Sequence, residues 1–280
     1  ASSSAAAAGG GGVQILERLK DTTVLMIGGL ESMGQTVKGV FGLLANGETI
    51  PEHGDHTLKN GGVKTDTTWS RGGGRMIEWR STNTKVIYAI SPQTPTLGEG
   101  ATADQMAMLE KWTRDSSNGA DIVVVDFSPV HELSESHSVE WSCQRMHGSL
   151  VTLTNTFENR PIIILSSYPP SSFQMPNHQK HAGSFSVWMM YNSCMREMAS
   201  AHDSEQRKMV YFIDLYQMAL PQIQQANQQD GITYHDDVLS VFSNVVLHNL
   251  SVLRRRVRKG QQNHHQDATS DHDDDHDHDD

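Results

Sequence analysis

The chain has 280 residues, of which 36% are hydrophobic, and this is enough to bury one substantial α/β core. Its formal net charge of −11 argues against a general nucleic-acid binder, because neutralising phosphates requires a surplus of Lys and Arg. No apolar run approaches the roughly 20 residues that a membrane-spanning helix needs, so we expect no membrane span.

The two ends of the chain differ in composition from the middle. Residues 1–12 are Ala, Ser and Gly only, and residues 259–280 are polar and rich in His and Asp. Neither stretch supplies side chains for a core. We therefore predict a disordered leader at 1–12, one α/β domain at 13–258, and a disordered tail at 259–280.

The first predicted element is a strand at residues 23–27, a continuous apolar run that ends at two glycines. A helix at residues 32–44 follows, with apolar side chains at helical spacing. Residues 50–75 are rich in Gly, Thr, Asp and His, which predicts a long exposed loop. A strand pair is then expected around residues 76–79 and 85–90.

Strands and helices alternate along the rest of the chain, and the predicted strands are again short and almost wholly apolar. The predicted helices are 103–112, 138–154, 185–201 and 237–258, and the predicted strands are 121–127, 161–165 and 209–215. This alternation favours a mainly parallel sheet with helices on both faces, a three-layer α/β/α sandwich of the flavodoxin-like type. Ligands of such sheets bind at the carboxyl ends of the strands.

Four sequence blocks follow the predicted strands and carry a resemblance to a known family. They are residues 28–30 (Gly-Gly-Leu), 126–128 (Asp-Phe-Ser), 166–173 and 230–233 (Asp-Gly-Ile-Thr). In order and spacing they resemble the SGNH, or GDSL-like, hydrolases, and more narrowly the PC-esterase and trichome-birefringence-like branch, over about residues 24–250. The resemblance implies the SGNH fold and a family activity that transfers or removes acyl groups on glycans.

The residues that carry catalysis in that family are changed in this chain. Gly29 stands at the Asp and Leu30 at the Ser of the family's Gly-Asp-Ser block, and Thr233 replaces the His of its late Asp-x-x-His block. Asp230 keeps the late Asp, whereas Ser128 replaces a residue of the oxyanion turn. Leucine has no nucleophilic atom, and threonine cannot shuttle a proton near neutral pH. The resemblance therefore implies an SGNH-like protein with impaired catalysis.

Nearby residues offer an enzymatic alternative. Ser32 lies at the predicted start of a helix, where backbone N–H groups stabilise an oxyanion, and His235 lies five residues after Asp230. A serine-type O-acyl esterase or acetyltransferase with a relocated nucleophile would use these three side chains. Against it, Ser32 and Gln35 also fit a capping box at a helix N-terminus, and His235 fits an exposed loop.

Other metal-binding and sulfur-containing side chains leave their roles open. His272, His276 and His278 lie among Asp residues and could bind a divalent metal, although such a tail more often only solvates the chain. Cys143 and Cys194 permit either one disulfide or two buried thiols. We expect no cofactor and no structural metal.

Three functions remain open on the sequence. The favoured one is a pseudoenzyme that binds a glycan or a protein partner without turnover. The second is an active carbohydrate O-acyl esterase or O-acetyltransferase, and the third is a structural subunit that uses the fold as a scaffold. The family resemblance also implies a secretory or extracellular location. The sequence carries no signal of oligomeric state.

Overall fold

A computed structural model describes residues 11–29, 33–51, 53–68, 73–90, 103, 119–127, 138–169, 185–206, 209–225 and 233–270. Its helices are α1 (Gly11–Arg18), α2 (Met33–Leu44), α3 (Val139–Thr156), α4 (Phe185–Gln206), α5 (Leu215–Ala219), a 3-10 helix (Leu220–Gln225) and α6 (Asp236–Ser270). Its strands are β1 (Thr22–Gly28), β2 (His56–Thr57), β3 (Gly62–Thr68), β4 (Gly73–Trp79), β5 (Thr84–Ile90), β6 (Ile122–Asp126), β7 (Ile162–Leu165) and β8 (Val210–Ile213). None of the described helices is both long and apolar enough to cross a membrane.

The described strands form one mixed sheet in the order β2-β3-β4-β5-β1-β6-β7-β8. Strands β5, β1, β6, β7 and β8 run parallel to one another. Strands β2, β3 and β4 extend the sheet beyond β5 by antiparallel pairing. The four strands predicted for a parallel sheet, now β1, β6, β7 and β8, are therefore confirmed, and the predicted strand pair is β4 with β5. The helix predicted at 103–112 lies outside the described residues, apart from residue 103.

The parallel strands are buried because helices cover both faces of the sheet. Alternate side chains of β1 point to opposite faces. Val24 and Met26 pack in the cluster formed with α1, α2 and α6, whereas Leu25 and Ile27 pack in the cluster formed with α3 and α4. Every residue of β1, β6 and β7 is buried. The predicted three-layer α/β/α fold with a mainly parallel sheet is confirmed.

The stretch at residues 50–75 is not the long exposed loop that its composition predicts. It forms β2 and β3, and β3 pairs along its whole length with β4. Lys64 of β3 is fully buried, and its ammonium donates to the Asp66 carboxylate at 2.6 Å and to the Gly54 carbonyl at 2.7 Å. Gly54 also donates its N–H to Asp66. A polar segment can enter the sheet here because internal hydrogen bonds satisfy its buried polar group.

Both ends of the domain differ from the predicted element bounds. Helix α1 begins at Gly11, inside the predicted leader, and its Leu16 packs with α2. Helix α6 continues to Ser270 instead of ending near residue 258, so it includes residues 259–270 of the predicted tail. Adding residues to a formed helix costs little, because the unfavourable nucleation step has already occurred. The bounds of the folded domain itself stay a prediction.

Two close contacts connect helices of the outer layers. On one face of the sheet, a Cβ added at Gly39 of α2 would lie 2.1 Å from the Oγ of Ser243 on α6. On the other face, Cys143 of α3 and Cys194 of α4 form a disulfide, with their Cα atoms 6.1 Å apart. The structure thus selects the disulfide from the two alternatives that the cysteine count allows.

Candidate functional site

The carboxyl edge of the parallel strands is closely packed around Gly28, the last residue of β1. A Cβ at position 28 would lie 2.5 Å from the Cβ of Met33 and 3.3 Å from the Cβ of Asp126. A side chain at position 28 would therefore clash with Met33. Glycine lets the start of α2 and the end of β6 approach the same point.

The backbone of Gly29, which follows β1, is fixed from two sides. Its carbonyl accepts hydrogen bonds from the Gly34 N–H at 3.0 Å and from the Tyr88 hydroxyl at 3.2 Å. The first bond connects Gly29 to α2, and the second connects it to β5. Because glycine has no side chain, this position contributes only backbone groups to the edge.

A buried carboxylate, that of Asp126, lies at the end of β6. The residue is only 1% exposed, and its Oδ1 accepts a hydrogen bond from the Ser167 hydroxyl at 2.9 Å. Burial raises the pKa of Tyr88 and of Tyr168, and the negative charge of Asp126 raises both pKa values further. Both phenols therefore stay protonated at neutral pH, and neither can act as a general base there.

Two more tyrosine contacts join this edge to the segments around it. The hydroxyls of Tyr168 and Thr36 are hydrogen-bonded at 2.9 Å, and the Tyr234 hydroxyl donates to the Pro169 carbonyl at 2.6 Å. The ring centroids of Tyr168 and Tyr234 are 5.5 Å apart. Burial, followed by the neighbouring tyrosines, raises the pKa of Tyr234. These hydroxyls are therefore neutral groups that connect the strand ends to α2 and α6.

The segment of Thr233 and Tyr234 adjoins the first turn of α2. Tyr234 donates its backbone N–H to the buried Gln35 side chain at 2.9 Å. Gly34, in the same turn of α2, donates to Gly29. Gly29 and the segment that contains Thr233 thus contact one helical turn.

His235 is exposed, and its carbonyl accepts the N–H of Leu239 at the start of α6. This agrees with the interpretation of His235 as a surface residue next to a helix. The other predicted site residues lie outside the described ranges: Leu30, Ser32, Ser128, Asp230 and the tail histidines His272, His276 and His278. The convergence of the full set at this edge stays a prediction.

A second carboxylate, that of Asp214, follows β8 at the same edge of the sheet. It accepts the Gln217 N–H at 3.0 Å as the N-cap of α5, and it forms an ion pair with Arg196 of α4. The Ser166 hydroxyl donates to Asp214 at 3.3 Å and accepts the Tyr216 N–H at 2.7 Å. Burial and the charge of Asp214 raise the pKa of Tyr216 to about 12. This second cluster connects β7, β8, α4 and α5.

Sequence reasoning missed the role of Asp126, Ser167 and the tyrosines in closing the edge. The signal for them was modest: Asp126 and Ser167 follow apolar strands, and Tyr168 begins a Pro-rich loop. In the described part of the chain, no group of three or more His, Cys, Asp or Glu side chains is placed to hold a metal ion. The described edge thus supplies hydrogen-bond donors and acceptors, together with two anchored carboxylates.

Comparison with solved structures finds the following likenesses, all at low sequence identity. A carbohydrate esterase family 3 protein from Talaromyces cellulolyticus is 10% identical and has a TM-score of 0.50, covering 84% of this chain and 99% of its own. A family 3 carbohydrate esterase from Clostridium thermocellum is 14% identical, with a TM-score of 0.49 and coverage of 84% and 98%. A small COPII coat GTPase from Encephalitozoon cuniculi, in complex with GDP, is 12% identical, with a TM-score of 0.42 and coverage of 92% of both chains.

The likeness to the Talaromyces cellulolyticus protein shows the fold. At such low identity, none of these likenesses assigns an activity or a substrate to this chain. No protein-family model matches the sequence, and no curated protein matches it.

Proposed function

We propose that this chain is an SGNH-like protein of the PC-esterase and trichome-birefringence-like branch that binds a glycan or a protein partner without hydrolysing it. The observation that carries the proposal is the identity of two residues near the first turn of α2. Gly29 stands at the family's Asp and Thr233 at its His. The fold supports the superfamily assignment, because a solved carbohydrate esterase family 3 protein has a similar fold, with a TM-score of 0.50.

The chemistry of these positions disfavours turnover. A serine hydrolase needs a base that accepts the hydroxyl proton and a second group that orients the base. Thr233 has no group that accepts a proton near neutral pH, and Leu30 has no nucleophilic atom. Tyr88 and Tyr168 do not substitute for the base, because their raised pKa values keep them protonated.

The ligand-binding surface in this proposal is the carboxyl edge of the parallel strands. Open α/β sheets bind ligands at this edge, and the loops that follow β1, β6 and β7 all begin there. An acylated glycan is the ligand that the family resemblance favours. A protein partner is the other outcome that a binding experiment would reveal.

Hydrolysis of p-nitrophenyl acetate by the purified chain tests the loss of catalysis. We expect no turnover above the buffer blank. Leu30→Ser or Thr233→His alone should give almost no hydrolysis, because the members of a triad act as a unit. The variant that combines Leu30→Ser and Thr233→His, with Gly29→Asp added, is expected to gain measurable turnover. The reason is that Asp230 would orient the histidine at position 233.

Ser32→Ala and His235→Ala are the controls for the enzymatic alternative. Turnover by the wild-type chain that both variants abolish would establish a relocated esterase and refute the proposal. Turnover that survives Ser32→Ala and Asp230→Ala would refute both accounts, because the chemistry would then use other residues.

Binding is tested on an array of O-acetylated and deacetylated oligosaccharides. We expect the wild-type chain to retain the acetylated members, and Thr233→Arg to abolish retention by placing a large charged side chain at the strand ends. Val241→Arg is the matched control, because Val241 is 59% exposed on α6. Equal retention by both variants would contradict binding at this edge.

We also propose that the chain matures in the secretory pathway. The disulfide between Cys143 and Cys194 supports this, because disulfides persist in oxidising compartments and are rare in the cytosol. Mass spectrometry of the native protein after alkylation without reduction provides the test. Two alkylated cysteines in protein taken from its natural source would contradict the proposal.

A further inference from the structure

Two histidines lie close together on the face of the domain formed by α3 and α4. The ring centroids of His147 on α3 and His202 on α4 are 5.3 Å apart, and the ring planes are tilted by 40°. His147 is exposed, whereas His202 is 6% exposed. One imidazole is therefore open to solvent, and the other is enclosed by the protein.

The spacing of the rings matches the requirement of a shared metal ion. A metal lies about 2.0–2.1 Å from each ligating imidazole nitrogen, so two imidazoles on one tetrahedral ion have ring centres roughly 5 Å apart. Each imidazole has two ring nitrogens, so a hydrogen bond at one nitrogen leaves the other available to the ion. We propose that His147 and His202 form a binding site for a divalent transition-metal ion.

The disulfide fixes the spacing of the two histidines before a metal ion binds. Cys143 and His147 are four residues apart on α3, so they lie on the same face of that helix. Cys194 and His202 are eight residues apart on α4, which is about two helical turns. The bond between Cys143 and Cys194 fixes the spacing of the two helices and hence the spacing of the imidazoles. Less conformational freedom is then lost when the ion binds.

The ligand set defines the class of metal. Imidazole nitrogens suit Cu²⁺, Ni²⁺ and Zn²⁺, and affinity for such ligands is highest for Cu²⁺. Among the described residues, no group of three or more ligating side chains is placed to hold a metal ion, so the two imidazoles are the protein ligands that this site offers there. The site is thus a two-histidine site that bridges α3 and α4.

Cu²⁺ binding, followed by titration calorimetry and electron paramagnetic resonance, tests the site. The full-length parent carries His272→Asn, His276→Asn and His278→Asn, because the acidic tail could itself bind metal. His147→Asn and His202→Asn are compared with His248→Asn, an exposed histidine on α6 that serves as the matched control. His147 is exposed, so its variant is expected to fold normally even if the His202 variant does not.

We expect the parent to bind one Cu²⁺ with nitrogen hyperfine structure from two imidazoles, and Cu²⁺ to raise the Tm. His147→Asn should weaken that binding at least about tenfold, with one nitrogen lost from the spectrum, whereas His248→Asn should match the parent. Unchanged affinity and an unchanged two-nitrogen spectrum in His147→Asn would overturn the proposal.

Discussion

The two halves of the sheet reach stability by different means. In the parallel half, β1, β6 and β7 are buried at every residue, and two helical layers cover them. In the antiparallel half, β3 alternates between buried and partly exposed positions at residues 62–65. One of its buried positions holds the ammonium of Lys64, satisfied by Asp66 and the Gly54 carbonyl. One sheet therefore combines a half stabilised by apolar burial with a half that depends also on an internal ion pair.

This difference predicts where each kind of substitution will lower the free energy of unfolding most. Removing apolar volume costs most where a side chain is enclosed on every side. Removing a charge costs most where its partner is buried and cannot return to water. Each half of the sheet should consequently be sensitive to one type of change and tolerant of the other.

The largest effect is expected from a cavity in the parallel half. Val124→Ala removes two methyl groups from a fully buried position on β6 and should lower the free energy of unfolding by about 2–3 kcal/mol. Val63→Ala makes the same chemical change at a partly exposed position on β3 and should cost less than about 1 kcal/mol. Urea denaturation measures the change in unfolding free energy for both variants. Equal losses would contradict the difference between the two halves of the sheet.

The ion pair of the antiparallel half should show its effect through pH. The hydrogen bond from Lys64 holds the pKa of Asp66 below its usual range, despite the opposing effect of burial. A depressed carboxyl pKa contributes stability above the unfolded-state pKa, and this contribution is lost as pH falls through the folded-state value. Asp66→Asn should therefore cost about 1–3 kcal/mol near neutral pH.

That cost should shrink as the solution is acidified below about pH 4, because the carboxyl becomes protonated first in the unfolded chain and, at still lower pH, in the folded protein. Denaturant titrations of both proteins at a series of pH values give the measurement. A difference in unfolding free energy that stays constant across this range would show that the variant acts through packing and not through the ion pair.

The smallest effect is expected at a surface ion pair of similar length. Lys38 and Asp236 approach to 2.7 Å, but their side chains are 67% and 76% exposed. Exposed pairs of this kind contribute about 0–1 kcal/mol. Lys38→Gln should change the free energy of unfolding by less than about 0.5 kcal/mol, and less again in high salt. A loss as large as that of Asp66→Asn would mean that burial does not govern the value of these pairs.

The same contrast explains how much of the fold could be predicted from sequence. Strands such as β6 are continuous apolar runs, and their burial on both faces follows directly from that pattern. Strand β3 carries Lys64 at a buried position, where alternation predicts an apolar side chain. Its partners, Asp66 and Gly54, are recognisable only after the chain has folded, so the sequence predicted a loop.

The residues of the candidate site also differ in how far the sequence could predict their roles. The proposed replacements at Gly29 and Thr233 rest on the motif blocks of the sequence, because they depend on residue identity alone. The electrostatic effects of Asp126 on Tyr88 and Tyr168 could not be predicted, since these residues come from three strands or strand ends that are separated in sequence by other elements. Pairing of the two cysteines was also open, because a count of two is compatible with thiols and with a disulfide.

The disulfide makes part of the chain a closed covalent ring. Cys143 and Cys194 are separated by 51 residues, and the ring they close contains all of β7. Closing a loop of this length reduces the entropy of the unfolded chain by an amount equivalent to roughly 4 kcal/mol. A single proteolytic cut within the ring leaves the two fragments covalently joined until the bond is reduced, whereas after a cut outside it only noncovalent contacts hold the fragments together. The half of the molecule that holds β7 can therefore be nicked without being lost.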